Sequence, residues 1–346
     1  MEVLRSARRR SAREGAPEVL AGVLDVLTRP SLAGWPGVGR LGFLRTAALR
    51  SAALGAGLVT AAGAGAVAWG AGYEVRSFRL RRFQVPVLPA GQAPLKLLHV
   101  SDIHMIAGQR AKQEWVRQLA RLQPDLVIDT GDNITSPQAV PEVLHALAPL
   151  LELPGAYVLG SNDYFAPKPK NPAAYLWRPS RAHAKPTPLP TDRLTDAFGA
   201  AGWLDLTNAK GRLQVGGRRL DLVGVDDPHL QRDRYLDVAG AADPAADLSI
   251  GVSHAPYRRV LDAMTTDGHQ LLVAGHTHGG QLCVPFFGAL TTNCDLPRSM
   301  AKGLHRWERG RRSSWLHVSA GLGTSPYAPV RFACAPEATL LELVAA

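Results

Sequence analysis

Cysteine is scarce. Cys283, Cys294 and Cys334 are the three thiols in 346 residues, an odd number without metal-ligand spacing. That argues against a disulfide framework and a thiolate metal site, and in favour of buried or free thiols. Acids are also thinly spread at the N-terminus. Residues 1–82 carry thirteen arginines against Glu2, Glu14, Glu18, Asp25 and Glu74, which is +8 of the chain's total of +10 and leaves +2 for the remainder. A charge excess confined to the N-terminal arm does not make the body a nucleic-acid surface, so no specific nucleic-acid partner is expected.

A third scarcity is more local: from Ser51 to Gly72 there is no charged residue. The stretch is about as long as the ~20 residues that cross a bilayer. It is mostly Ala and Gly, so a buried Ala-rich helix is the competing reading. We expect a basic arm over 1–50, broken by Gly34-Trp35-Pro36-Gly37, and a transmembrane helix over 51–72. The protein is then single-pass in the cell membrane. Arginines flank the segment on both sides (Arg40, Arg45 and Arg50 before it, Arg76, Arg79, Arg81 and Arg82 after it), so the positive-inside rule leaves the side of the body open. The run Arg8 to Arg10 stands too far from the apolar segment to make a twin-arginine signal. Residues 73–94, with Pro86, Pro89 and Pro94, read as a linker to a body over 95–346.

Within the body, short apolar runs end in residues that bind metals. Leu95 to Val100 precedes Asp102 and His104, Leu126 to Ile128 precedes Asp132, and Tyr157 to Leu159 precedes Asn162. Leu248 to Val252 precedes His254, and Leu271 to Ala274 precedes Gly275-His276-Thr277-His278-Gly279-Gly280-Gln281. The carboxyl ends of strands are where open α/β sheets place their sites. His276 and His278 can both reach an ion if the turn bends between them, which neighbouring glycines permit. Taken alone, Asp132 reads as a helix cap. Asp226 and Asp227 read as turn residues, and His99, His145, His269, His305 and His317 as structural or surface histidines. Residues 165–190 hold seven prolines, five basic residues and no acid. This stiff excursion follows Asn162 directly and is expected to be a substrate flap, with Lys168, Lys170 and Arg178 binding an anionic or lipid-bearing substrate.

Asp102-x-His104, Gly131-Asp132, Gly160-Ser161-Asn162-Asp163, His254 and Gly275-His276-x-His278 occur in one order. This order resembles the calcineurin-like metallophosphoesterases. The fuller Gly-His-Thr-His-Gly-Gly-Gln, with Gly321-Leu322-Gly323-Thr324-Ser325 and Pro329-Val330-Arg331-Phe332, is similar to the bacterial membrane-associated or exported branch. The resemblance implies an α/β fold, a four-layer α/β-β/α sandwich preceded by the N-terminal transmembrane helix. It implies two divalent ions (Mn, Fe or Zn), one held by Asp102, His104 and His278, the other by Asn162, His254 and His276, with Asp132 bridging. It further implies that Asp132, Asn162 and His254 serve catalysis, and that two cations sharing a water supply hydroxide to a phosphodiester or pyrophosphate bond.

One departure stands out. The family motif has an Asn ligand followed by a His that assists the leaving group, whereas this chain reads Ser161-Asn162. Either Ser161 or, after a one-residue shift, Asn162 is the ligand, and the usual histidine is absent; His183 and His229 are the replacements at hand. The altered motif also motivates a second reading, a catalytically silent metal-binding module.

Overall fold

The computed structural model describes residues 41–169 and 186–346. Largely apolar runs such as Leu95 to Val100 and Leu248 to Val252 suit strands covered on both faces, and they form the centres of two sheets. In chain order the elements are α1 (Leu41–Gly72), β1 (Arg79–Leu88), β2 (Leu95–Val100), α2 (Arg110–Gln118), β3 (Leu126–Asp129), α3 (Ala139–Leu151), β4 (Gly155–Tyr157), α4 (Ser161–Tyr164) and α5 (Thr191–Ala200). They continue with β5 (Leu204–Asp205), β6 (Lys210–Val215), β7 (Arg218–Gly224), α6 (Tyr235–Val238), β8 (Leu248–Ser253), α7 (Arg258–Asp267) and β9 (Leu271–Ala274). The last are β10 (Cys283–Val284), β11 (Gly288–Ala289), β12 (Gly303–Arg309), β13 (Arg312–Val318) and β14 (Glu337–Ala345).

The first sheet has the order β1-β14-β2-β3-β4-β5 and the second β12-β13-β9-β8-β7-β6, six strands each. Both are mixed: β2 to β5 run parallel with β14 antiparallel beside them, and β13, β9, β8 and β7 run parallel between antiparallel β12 and β6. Leu97, Leu126, Ile128 and Leu341 of the first sheet meet Leu222, Leu248, Ile250 and Leu271 of the second in one buried core. On the outer face of the first sheet, α2, α3 and α5 bury Val116, Val143, Leu147 and Phe198. On the outer face of the second, α7 buries Val260, Leu261 and Met264. The result is the expected four-layer α/β-β/α sandwich. The β6–β7 hairpin turns at Gly216 (φ 55°) and Gly217 (φ 78°), where both positions need the left-handed conformation that glycine adopts freely.

Two expectations about the N-terminal region change. Residues 79–88 are not linker: β1 pairs parallel with β14 along its length. Pro86 disguises this strand, but β1 is an edge strand, where a missing amide hydrogen is tolerated. Its Arg79, Arg81 and Arg82 discourage pairing with a second chain. Helix α1 starts at Leu41 rather than Ser51, so part of the expected arm is helical. Every side chain described between Ser51 and Trp69 is exposed or half-exposed, so α1 is not a buried core helix there. The stretch Ala53–Arg76 has the length and apolar composition to cross a membrane. The three thiols are free.

The sheets also bury a histidine pair. His99 Nδ1 lies 2.9 Å from His317 Nδ1, and neither residue is solvent-accessible. Burial, with His305 nearby, lowers His317 to about 3, and burial beside His317 holds His99 far below its ordinary value. Both rings are neutral in the fold and charge on unfolding. Between the folded value near 3 and the unfolded value of about 6.5, the unfolded chain binds more protons, so stability falls as the pH drops through that window. We expect His317→Gln to flatten this slope by up to about 1.4 kcal/mol per pH unit, read from denaturant unfolding at pH 7, 6 and 5. An unchanged slope would assign the titration to other groups.

Candidate metal centre

The parallel strands of both sheets end at one place. Asp102 and His104 follow β2, Asp132 follows β3, Asn162 opens α4 after β4, His254 follows β8, and His276 and His278 follow β9. The seven residues expected from the sequence converge there. Asp102, His104 and His278 can bring one ligand atom each within 4.8 Å of one another, and so can Asp102, Asp132 and His254. His276 joins through its Nδ1, 3.3 Å from His254 Nε2. The sequence suggested that glycines would bend the turn between His276 and His278. Instead the histidines themselves are left-handed, His276 at φ 67° and His278 at φ 49°, as are Asp102 (49°), His104 (43°) and Asp132 (58°). Each such residue costs roughly 1–2 kcal/mol, so the surroundings must hold the backbone there.

Hydrogen bonds fix which ring nitrogens face the centre. His254 Nδ1–H donates to the Thr130 carbonyl at 2.7 Å, and His278 Nδ1–H donates to the Gly323 carbonyl at 3.1 Å, so each Nε2 presents its lone pair inward when the ring is neutral. His276 Nε2 lies 3.3 Å from both the carbonyl oxygen and the side-chain Nδ2 of Asn293, which leaves Nδ1 facing inward. His104 Nε2 faces His278 Nε2 at 3.2 Å and Asp132 Oδ2 at 3.4 Å, and His104 Nδ1 has no partner. Asn162 donates to Asp132 twice, from its backbone N to Oδ1 and from Nδ2 to Oδ2, both at 2.7 Å. Turning the amide over would bring its oxygen to the same place. Ser161 Oγ accepts from Asn162 Nδ2 at 3.3 Å.

The electrostatics are those of crowded acids. Burial raises Asp102 to about 6, and His254 partly offsets it. Burial raises Asp129 to about 8 and, with Asp132 nearby, Asp163 to about 7. Asp227 rises to about 7 through burial, again partly offset by His254. Burial alone would raise Asp132 too, but His254 and His104 beside it hold it below the ordinary value. Burial would lower His254, yet Asp132, Asp227 and Asp102 lift it to about 9. Burial keeps His104 near 4 and holds His276 and His278 well below their ordinary values. Two buried carboxyl groups, Asp102 and Asp132, face the rings of His104, His254 and His278, of which His254 is the one held protonated. Such a set of nitrogen and oxygen donors suits a divalent cation.

Sequence reasoning missed the residues that hold this centre. Asp163 accepts from the backbone N of Asp132, Asn133 and Gly160 at 2.8, 2.8 and 2.9 Å. Lys112 of α2 donates to the Ile103 carbonyl at 2.8 Å, between the two ligand candidates of that loop. Arg331, wholly buried, donates from Nη2 to the carbonyls of Ala320 and Gly323 at 2.7 Å and of Gly321 at 3.1 Å. Asp163 and Arg331 stand inside the sequence motifs and Lys112 in a helix, but residue order assigns none of them a role, since a backbone group that needs a partner leaves no mark in sequence. Gly275 permits a close approach, because a Cβ there would lie 1.9 Å from Ser101 Oγ and 2.5 Å from Asp102 Oδ2.

Other expectations resolve around this centre. Asp227 caps a short turn by accepting from His229 N at 2.8 Å, and Asp226 binds Arg232 at 2.9 Å. His99 and His317 pair in the core. His229 stacks on His276 with ring centroids 4.5 Å apart. The flap is pinned at its base, where Phe165 bridges Pro188, and Lys168 is half-buried beside it. Lys170, Arg178 and His183 lie outside the described residues. Asp163→Ala is expected to weaken divalent-ion affinity about 10- to 100-fold by releasing the Asp132 turn, measured by metal analysis after gel filtration at fixed free metal. Full retention of metal would show that the turn holds itself.

The model of the calcineurin-like phosphoesterase family matches residues 95–280. The "Uncharacterized protein YpbG" of Bacillus subtilis (strain 168) is 26% identical over 258 residues, 73% of this chain and 82% of that protein. The "Uncharacterized metallophosphoesterase YkoQ" of the same organism is 26% identical over 262 residues, 74% of this chain and 86% of that protein. "Phosphodiesterase YaeI" of Escherichia coli (strain K12) is 24% identical over 272 residues, 77% of this chain and 88% of that protein. With the family's matched region spanning the strand ends that carry the acids and histidines, the chain belongs to the calcineurin-like phosphoesterases and is a metal-dependent phosphoesterase.

Proposed function

We propose that the protein hydrolyses a phosphodiester or pyrophosphate bond, in a lipid-linked substrate at the membrane to which residues 51–72 anchor it. The observation that carries this reading is the cluster of buried carboxylates and inward-facing imidazole nitrogens at the ends of β2, β3, β8 and β9. Asp102, His104 and His278 would hold one divalent ion, and Asn162, His254 and His276 a second, with Asp132 shared. Mixed nitrogen and oxygen donors suit Mn, Fe or Zn. When bound, such ions lower the pKa of a nucleophilic water and stabilise charge on the phosphoryl group.

The chain's own residues do the rest. The Thr130 carbonyl keeps one His254 proton on Nδ1, so Nε2 becomes available to the centre once the ring's second proton is displaced by a cation. Asn162 ties α4 to Asp132 and offers a neutral amide in place of the Ser161 hydroxyl. No histidine occupies the third motif, so protonation of the leaving group has to come from elsewhere. His229, its ring centroid 4.5 Å from that of His276, is the imidazole among the described residues that we assign to that role. General-acid assistance is worth ~100-fold to ~10,000-fold. A site short of it favours leaving groups that depart without a proton, such as diphosphates and activated diesters. Lys168, Lys170 and Arg178 would draw in the anionic end of the substrate. Anchoring by α1 is supported by the length, composition and exposure of its apolar stretch.

Three outcomes test this reading. The full chain with manganese should turn over bis-p-nitrophenyl phosphate, chelation should stop it, and Asp132→Asn should lower the rate at least about 100-fold. Turnover equal to wild type in that variant would sink the assignment. Aryl diesters or diphosphates should be cleaved far faster than alkyl monoesters, and equal rates would restore a general acid to the site. The triple variant Lys168→Ala, Lys170→Ala, Arg178→Ala should raise KM for anionic substrates with little change in kcat; an unchanged KM would remove the flap from substrate binding.

A further inference from the structure

The β10–β11 ribbon stands apart from both sheets, and its side chains run against the usual pattern of burial. Phe286 at its tip is fully exposed (112%), Phe287 is 64% exposed, and Val284 and Leu282 follow at 45% and 40%. A soluble surface seldom gathers apolar side chains in this way without a partner. The guanidinium of Arg298 sits 5.5 Å over the Phe287 ring. A cleft of about 720 Å³ runs under the ribbon, lined by Phe287, Arg298 and Lys302 and reaching Gly279, the neighbour of His278.

The base of the ribbon is joined to the end of the apolar helix. Cys283 N donates to the Phe332 carbonyl at 2.8 Å, and Arg331 N donates to the Gly70 carbonyl of α1 at 3.2 Å. Glu74, just past α1, accepts from Cys334 N at 2.6 Å and from Trp69 Nε1 at 3.1 Å. One segment, 331–334, therefore carries the ribbon on one side and the last turn of α1 on the other. At that end of α1, Trp69 and Tyr73 stack at 4.4 Å and are each about half exposed (51% and 54%). Aromatic rings with an exposed apolar body and a polar edge, gathered where an apolar helix ends and with cations beside them, are the chemistry of a bilayer interface.

We propose that the β10–β11 ribbon is a second membrane contact of this protein. Phe286 and Phe287 enter the interfacial layer of the bilayer that α1 crosses, Arg298 and Lys302 lie at the level of anionic headgroups, and the cleft leading to Gly279 opens on lipid headgroups rather than on bulk water. The substrate class is then a phosphoester carried on a lipid headgroup. This rests on the reading of α1 as a membrane anchor, and the test separates the two.

The full chain carrying Pro285→Cys is labelled with an environment-sensitive nitrobenzoxadiazole dye and reconstituted into phosphatidylcholine–phosphatidylglycerol vesicles that contain doxyl-labelled lipid. Parallel preparations carry Ala62→Cys within α1, Arg311→Cys in the β12–β13 turn, or no substitution to correct for native thiols. Quenching is expected at Pro285 and Ala62 and not at Arg311. Adding Phe286→Glu and Phe287→Glu should abolish quenching at Pro285 and leave it intact at Ala62. If Ala62 is quenched and Pro285 is not, whether the ribbon faces water or binds a second protein copy, the inference falls and the anchor stands. If neither is quenched, both fall. Equal quenching at Pro285 in vesicles of phosphatidylcholine alone would remove the role given to Arg298 and Lys302.

Discussion

Packing acids together out of water is unfavourable twice, through lost hydration and through mutual repulsion, and the architecture of this protein answers to that constraint. Asp102, Asp129, Asp132, Asp163 and Asp227 are all buried near the strand ends where the two sheets meet. Asp163 gives both oxygens to backbone amides around the Asp132 turn, whereas Asp129 and Asp227 each give Oδ1 alone, to Gly131 and His229. Asp102 and Asp132 accept backbone amides too, from His276 and Asn162, but they also lie beside the imidazoles of His104, His254 and His278. These two are the acids shared between the loops and the ring cluster.

The loops themselves are strained. Five of the residues that line the centre adopt positive φ, a conformation other residues avoid because Cβ crowds the carbonyl. The strain persists because the loops are bound from outside. Lys112 reaches in from α2, Arg331 from the C-terminal segment, and the Thr130 and Gly323 carbonyls grip His254 and His278. Burial lowers both Lys112 and Arg331, Lys112 to about 7, yet their donated hydrogen bonds satisfy carbonyls of the loops around the centre. This supporting set places ring nitrogens and carboxylate oxygens within a few ångströms of each other, which a loop alone would not hold.

A further division follows from where charge sits. The acids gather at the centre, while Arg79, Arg81 and Arg82 lie on edge strand β1 and Arg298 and Lys302 line the cleft beneath the β10–β11 ribbon. Beyond Asn162 the chain is tied to the body by Tyr164 Oη, which donates to Asp226 at 2.9 Å under the Arg232 guanidinium.

Much of this was legible in residue order. Largely apolar runs marked the inner strands, and a ligand-type residue after each run located the centre, because strand composition and turn chemistry are local properties. Strand β1 was not legible, since Pro86 argues against a strand until the edge position is known. Nor was the α1 boundary at Leu41, the left-handed backbone of His276 and His278, or the part played by Asp163, Lys112 and Arg331. By itself the sequence determined which residues are able to bind a metal and on which strands they ride. Only the tertiary structure decided which nitrogen of each ring faces inward and which acids are already occupied by amides, because those depend on carbonyls and amide groups contributed by segments far apart in the chain.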